Sequence, residues 1–334
     1  MDGRRHPHSH RHGKNISTRQ AEAGIQAGRK KRIAASRGTL MTILKIGMIG
    51  LDTSHCLEFT RILNDPQHPF HVNGGYVYAA FPFFSEDLKI SRSRMAGIRD
   101  VLKNEFSVII TESIQETAAM SDAILLTAVD GRTHLSLFKQ LLPFKLPVFI
   151  DKPLAMSPAE ADEIFALAQE NGIPVMSSSS LRFAESFAAF LHQNRESITG
   201  AYFHGPLPQQ DKMPGFYWYG IHMAEMAIAA YGTGVREILV RRHADYELAL
   251  AQWEDGRMAT FRGEYEWHSR FAVLFHTKEG AVSIEISKDS KPYYASLLEA
   301  VIPFFQTGQS PVAWEETREV IRLVDMLTAA GKSA

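Results

Sequence analysis

Cysteine is nearly absent: Cys56 alone rules out a disulfide within the chain and suits a reducing compartment. A long apolar run is also missing. No stretch of 18 apolar residues and no secretory leader with an apolar centre is present, so the expectation is a cytoplasmic protein that engages no membrane. Net charge is only −1 over 334 residues, which offers no overall attraction for nucleic acid. Charge is uneven, however. Residues 1–40 contain ten Lys/Arg, four His and two acidic residues, which leaves the remainder strongly acidic by comparison. This segment includes "GRKKR" and nothing that could form a core, so it reads as a disordered basic extension. It is either a targeting arm or sequence that precedes the true start at Met41.

The next shortage is glycine, at one turn. "ILKIGMIGLDTSHCLEFTRIL" runs from an apolar strand through a polar turn into a helix, the context of the dinucleotide pattern G-x-G-x-x-G. The six positions read Gly50, Leu51, Asp52, Thr53, Ser54 and His55, with only the first glycine in place. The second glycine normally lets backbone approach a pyrophosphate, and the third permits close helix packing. Asp52 and His55 stand there instead. An acidic residue to bind an adenosine ribose is also lacking, since the second strand ends "AAFPFF" and Glu86 and Asp87 come later. Thr53 and Ser54, with the free N–H groups of a helix start, could still donate to phosphate if Asp52 turns away.

What is present is ordinary for a folded protein: 45% hydrophobic and 22% charged residues, enough chain for two domains. Short apolar strands at Ile46 to Ile49, Tyr76 to Phe81, Ser107 to Thr111, Ala123 to Thr127, Pro147 to Ile150 and Pro174 to Ser177 alternate with helical spacing. Such runs, buried on both faces, predict a parallel sheet. Ser157, Pro158 and Glu160 form a helix start, and Asn171-Gly172 its end. After Gly200 the chain becomes β-rich, with hairpin turns at Asp255-Gly256 and Glu279-Gly280. Helical segments are expected at Phe216 to Tyr231 and Glu315 to Ala330. The fold class is therefore α/β: a doubly wound, Rossmann-like sheet over 41–177, followed by an α+β domain with a mainly antiparallel sheet over 178–334.

At "VFIDKPLA" a strand ends in Asp151-Lys152-Pro153 before the capped helix. This resembles the E-K-P motif of the Gfo/Idh/MocA oxidoreductases. "VDGRTH" is similar to that family's T-P-N-x-x-H segment, "LRF" to its crossover, and "WYGIHMAEM" to its D-x-G-x-H-x-x-D helix. The resemblance spans nearly everything from Leu44 to Ala330, in a variant with a "GLDTSH" turn. It implies an NAD- or NADP-dependent hydride transfer to or from a sugar-, cyclitol- or polyol-like substrate, in a homo-oligomer.

Lys152 and His222 are the catalytic candidates that the resemblance implies. A cation at a strand's carboxyl end can hold an alcohol oxygen, and a histidine can relay its proton. Lys152 could otherwise be a surface partner of Asp151, and His222 a core histidine bonded to Glu225. Gly50, Asp52, Thr53, Ser54, His55, Asp151 and Lys152 are candidates for cofactor contact, and His134, Trp218 and Glu225 for substrate contact. Trp218 replaces the family's aspartate four residues before the histidine, so an acidic partner for His222 is missing. A ligand-binding or regulatory protein on the same scaffold is the alternative. A metal-dependent hydrolase or lyase using Asp52, His55, Asp130, His134 and His222 is a weaker one, for no dense ligand motif supports it.

Overall fold

The computed structural model describes residues 33–34, 40–41 and 43–332. The expected disordered extension lies outside the described residues, except that Ile33–Ala34 pairs antiparallel with Leu40–Met41. From Leu44 onward the chain forms one unit.

A six-stranded parallel sheet comes first. Its strands are β1 (Leu44–Ile49), β2 (Gly75–Phe81), β3 (Ile109–Ile110), β4 (Ala123–Leu126), β5 (Val148–Ile150) and β6 (Val175–Met176), in the order β3-β2-β1-β4-β5-β6. All of β4 and β5 is buried, as expected for apolar strands covered on both faces. The order reverses between β1 and β4, and the crevice at such a switch point is where doubly wound folds bind ligands. Helices α1 (Ser54–Asn64), α2 (Lys89–Phe106), α3 (Ile114–Ala119), α4 (His134–Leu141) and α5 (Pro158–Asn171) connect the strands.

The helix start read at Ser157 is borne out. Its hydroxyl accepts from the Glu160 N–H, and the Glu160 carboxylate accepts from Met156 N–H. Gly172 closes α5 in the left-handed conformation. The strand expected over Ser107 to Thr111 shrinks to Ile109–Ile110. Ser107 is the left-handed cap of α2, so its backbone cannot extend until after the turn.

The second sheet contains β7 (Ile198–Pro206), β8 (Val235–Arg242), β9 (Tyr246–Trp253), β10 (Met258–Glu264), β11 (Ala272–Thr277) and β12 (Gly280–Glu285). Its order is β8-β9-β10-β7-β11-β12, antiparallel throughout apart from the β10–β7 pair. Both hairpin signals fall between paired strands. One face carries the fully buried Phe203, Phe261 and Phe275; the other leaves Leu239, Leu248, Leu250 and Met258 exposed.

Four further helices complete the unit: α6 (Glu185–Asn194), α7 (Gly220–Tyr231), α8 (Tyr293–Thr307) and α9 (Trp314–Lys332). α7 starts four residues later than its apolar pattern suggests. Gly215 adopts φ +58°, and the Phe216 N–H donates to Thr328 Oγ1 rather than into a helix. α8 returns to the first sheet, where Leu298, Val301, Ile302 and Phe305 share a core with Ile46, Phe59 and Val77. That return brings the start of α8 to the carboxyl edge of the parallel sheet.

Candidate active site

The turn after β1 is built around Gly50. Its φ is +91°, and a Cβ there would lie 2.4 Å from the Ala128 nitrogen. Only glycine allows β1 to pass this close to the end of β4. Thr53 caps α1, accepting from the His55 N–H, which leaves Ser54 exposed in the first turn. Cys56 lies beneath, fully buried, with its thiol pushed up to about 12 by burial.

Asp52 does not cap the helix, nor does it face solvent. It is 0% exposed; Oδ1 accepts from the Val129 N–H at 2.9 Å and Oδ2 accepts from the Ser91 hydroxyl at 2.6 Å. The turn is thereby tied to both the end of β4 and the first turn of α2. Burial raises the Asp52 carboxyl to about 6, with the two hydrogen bonds pulling the other way.

His55 projects from α1 toward β5. Its Nδ1 lies 2.5 Å from Oδ2 of Asp151, whose other oxygen accepts the Lys152 N–H at 2.9 Å. Burial by itself would raise the Asp151 carboxyl, but His55 and Lys152 hold it below the usual range. Lys152 is itself buried, and its Nζ sits 5.3 Å from the Trp218 ring and 5.7 Å from the Tyr219 ring. Burial lowers its pKa; Asp151 opposes the shift and Arg94 adds to it.

α7 supplies His222, from a helix buried on every side. Nδ1 of His222 pairs with the Ser179 hydroxyl at 2.6 Å, so Nε2 is the nitrogen left for the cavity. Burial, with Lys152 and His55 nearby, drives its pKa well below 6.5 and keeps the ring neutral. Ser179 thus takes the orienting place in which the absent aspartate was missed.

Lys152, His55, His222 and Trp218 line one cavity of about 160 Å³, together with Thr53 and Ser54. Residues outside the sequence reading line it too. Tyr219 precedes α7, Tyr293 and Tyr294 open α8, and Arg94 stands at the exposed side of α2. No local motif marks these residues, because α8 reaches the site only through its packing on the first sheet. Among these lining groups the charged ones are cationic, and the carboxylate of Asp151 lies behind them.

Three candidates are engaged elsewhere. Glu225 accepts from Arg182 Nε at 2.5 Å and Ser178 Oγ at 3.0 Å, and Arg182 also reaches Glu316. His134 is fully buried, with Nε2 2.7 Å from the Ala128 carbonyl and Nδ1 2.9 Å from that of Pro153. It joins the ends of β4 and β5 and does not line the cavity. Asp130 is held by Arg132. With Asp52 and His55 committed as well, the five residues of the metal reading do not converge. Among the described residues, the group spaced for a cation is His204, Glu264 and His268 on the second sheet. No helix among them is long and apolar enough to cross a membrane.

The site fits a nicotinamide cofactor at one end only. At the start of α1 the His55 and Cys56 N–H groups are taken by Thr53, so the Thr53 and Ser54 hydroxyls are the donors offered there, with Lys152 and His222 on the same cavity. The adenosine side is occupied by the chain itself: the Asp52 bridge crosses it, and Leu88, Val129, Met213 and Trp218 pack into one cluster over it. A cavity of about 160 Å³ is below the roughly 300–1,000 Å³ usual for ligand pockets.

Comparison with known proteins agrees with the architecture. Residues 44–179 match the family model described as oxidoreductase family, NAD-binding Rossmann fold. No curated protein matches the sequence. Among solved structures, scyllo-inositol dehydrogenase from Lactobacillus casei is similar, with 16% identity and a TM-score of 0.72 over 88% of this chain and 97% of that one. UDP-N-acetylglucosamine 3-dehydrogenase from Acidithiobacillus ferrooxidans is 13% identical, with a TM-score of 0.70 over 87% and 98%. GenD2 from gentamicin A biosynthesis, solved in complex with NAD, is 15% identical, with a TM-score of 0.68 over 90% and 97%. These likenesses show the fold. The match to the Gfo/Idh/MocA oxidoreductase family model is confined to the Rossmann segment, residues 44–179.

Proposed function

We propose that this Gfo/Idh/MocA-type chain oxidises or reduces a hydroxyl or keto carbon of a small sugar-, cyclitol- or polyol-like substrate, with NAD or NADP as hydride carrier. The observation that carries the reading is the meeting of Lys152 and His222 on one cavity at the carboxyl edge of the parallel sheet. Lys152, buried beside the cavity, hydrogen-bonds and polarises the reacting oxygen. Neutral His222, fixed through Nδ1 by Ser179, uses Nε2 to take up or return the hydroxyl proton. Tyr219, Tyr293 and Tyr294 offer hydroxyls and ring faces to a polyhydroxylated ligand, and Arg94 favours one that carries negative charge. A nicotinamide, when bound, supplies the hydride acceptor or donor. The hydroxyls of Thr53 and Ser54 at the start of α1 would hold its phosphates. A homo-oligomer formed through the open sheet face is proposed on the exposure of Leu239, Leu248 and Leu250.

The test is a panel of inositols, hexoses and sugar acids with each oxidised cofactor, following nicotinamide absorbance. Turnover by the native chain, lowered roughly 100-fold or more in Lys152→Ala and His222→Ala, supports the reading. Lys152→Ala turning over at the native rate overturns it. The second reading, a ligand-binding protein, is favoured by the occupied adenosine side. It predicts panel compounds that raise the melting temperature with no turnover in any combination.

A further inference from the structure

Three separate contacts cross the same gap. On one side stands the connection between β2 and α2, and on the other the connection between β4 and α4. Asp52 makes the first, accepting from Ser91 of α2 and from Val129 just after β4. Arg132 makes the second, with paired hydrogen bonds to Asp87 at 2.8 and 3.0 Å while it also holds Asp130. Leu88 and Val129 make the third, packed with Met213 and Trp218. In a doubly wound sheet this gap, between the ends of β1, β2 and β4, is the adenosine half of the dinucleotide crevice.

We infer that Asp52 is the keystone of a latch that closes this half of the crevice, so that a dinucleotide binds only the fraction of molecules in which the latch has opened. The inference rests on the reading of a nicotinamide as hydride carrier. The position is decisive because Asp52 stands where the dinucleotide pattern has its second glycine, the residue whose missing side chain makes room for pyrophosphate. Here a side chain is present, and both its oxygens are used to draw the walls together. The Ser91 hydroxyl is fixed for the task, for its oxygen also accepts the Ser85 N–H at 2.7 Å. Apparent affinity falls by the open fraction, so a latch open in about a tenth of molecules weakens binding about tenfold. The cavity beside Lys152 and His222 is formed while the latch is shut and shares only Trp218 with it.

The experiment titrates NADH and NADPH into the full-length native chain and into Asp52→Gly, Asp52→Asn and Arg132→Ala, following nicotinamide fluorescence. Asp52→Gly is expected to bind at least about tenfold more tightly than the native chain, and Arg132→Ala severalfold more tightly. Asp52→Asn still accepts from the Val129 N–H and can donate its amide N–H to the Ser91 oxygen, so it is expected to bind as the native chain does. Asp52→Gly and Arg132→Ala binding no more tightly than the native chain, or not at all, overturns the latch. If Asp52→Gly does not fold, Arg132→Ala decides, since its side chain is about one-third exposed and outside the core. The two readings fail separately: a latch without effect leaves the Lys152→Ala result untouched, and a native rate in Lys152→Ala leaves the fluorescence titrations standing.

Discussion

His55 Nδ1 and Asp151 Oδ2 lie 2.5 Å apart, joining the first turn of α1 to the end of β5 across the carboxyl edge of the sheet. Both side chains are almost completely buried. The pair fixes the residue that precedes Lys152 and gives a carboxylate that balances the cations of the cavity.

Asp151→Asn is expected to cost about 1.5–3 kcal/mol at pH 7, the range for hydrogen bonds to charged groups. The carboxyl is held below its ordinary value of 3.8, so its contribution is complete above that value and is lost as pH falls through the lower folded one. Urea unfolding of both proteins between pH 7 and pH 3 should show a gap that narrows only at the acid end. A gap that is absent at pH 7, or undiminished at the lowest pH, would contradict the pairing.

His222 is expected to stay neutral throughout the neutral range, because burial and two nearby groups drive its pKa well below 6.5. Turnover should therefore show no acid limb near 6.5 due to this residue. Ser179→Ala removes the partner of Nδ1 and frees the ring, so kcat should fall roughly tenfold to 100-fold with KM little changed. A limb near 6.5 that disappears in His222→Gln would show that the ring titrates there after all.

Arg182 joins Glu225 to Glu316, and its side chain is 12% exposed. Arg182→Met leaves Glu225 buried without its cation. The expected loss is about 3–5 kcal/mol, as for other buried pairs broken by removing one partner. Thermal and urea unfolding measure it directly. The Glu225→Gln, Arg182→Met double variant should recover part of the loss, since the unpaired charge is gone. No recovery would place the role of Arg182 in packing alone.

Local signals carried much of this protein. Apolar runs at β4 and β5 predict strands because a strand buried on both faces has no use for polar residues. Ser157, Glu160 and Gly172 mark α5 because the unpaired N–H and C=O groups at its ends need partners that only nearby residues provide. Lys152 and His222 were legible through the order of weak motifs along the chain. Tyr293, Tyr294 and Arg94 were not, for nothing beside them in sequence tells where α8 and α2 will dock. His134 and Glu225 looked alike to the sequence whether they faced a ligand, a carbonyl or an arginine.

The "GLDTSH" turn divides the two kinds of knowledge most sharply. Its sequence by itself determined that a strand would turn at Gly50 into a helix capped by Thr53, since those preferences lie within a few residues. It also determined that two glycines of the dinucleotide pattern would be missing. Only the tertiary structure decided where the Asp52 carboxylate goes. Its partners are Ser91 and Val129, 39 and 77 residues away, and they come within reach only when β1, α2 and β4 have packed together. A buried carboxylate takes whatever donors the fold brings to it, because leaving it unpaired costs more than any local preference can return.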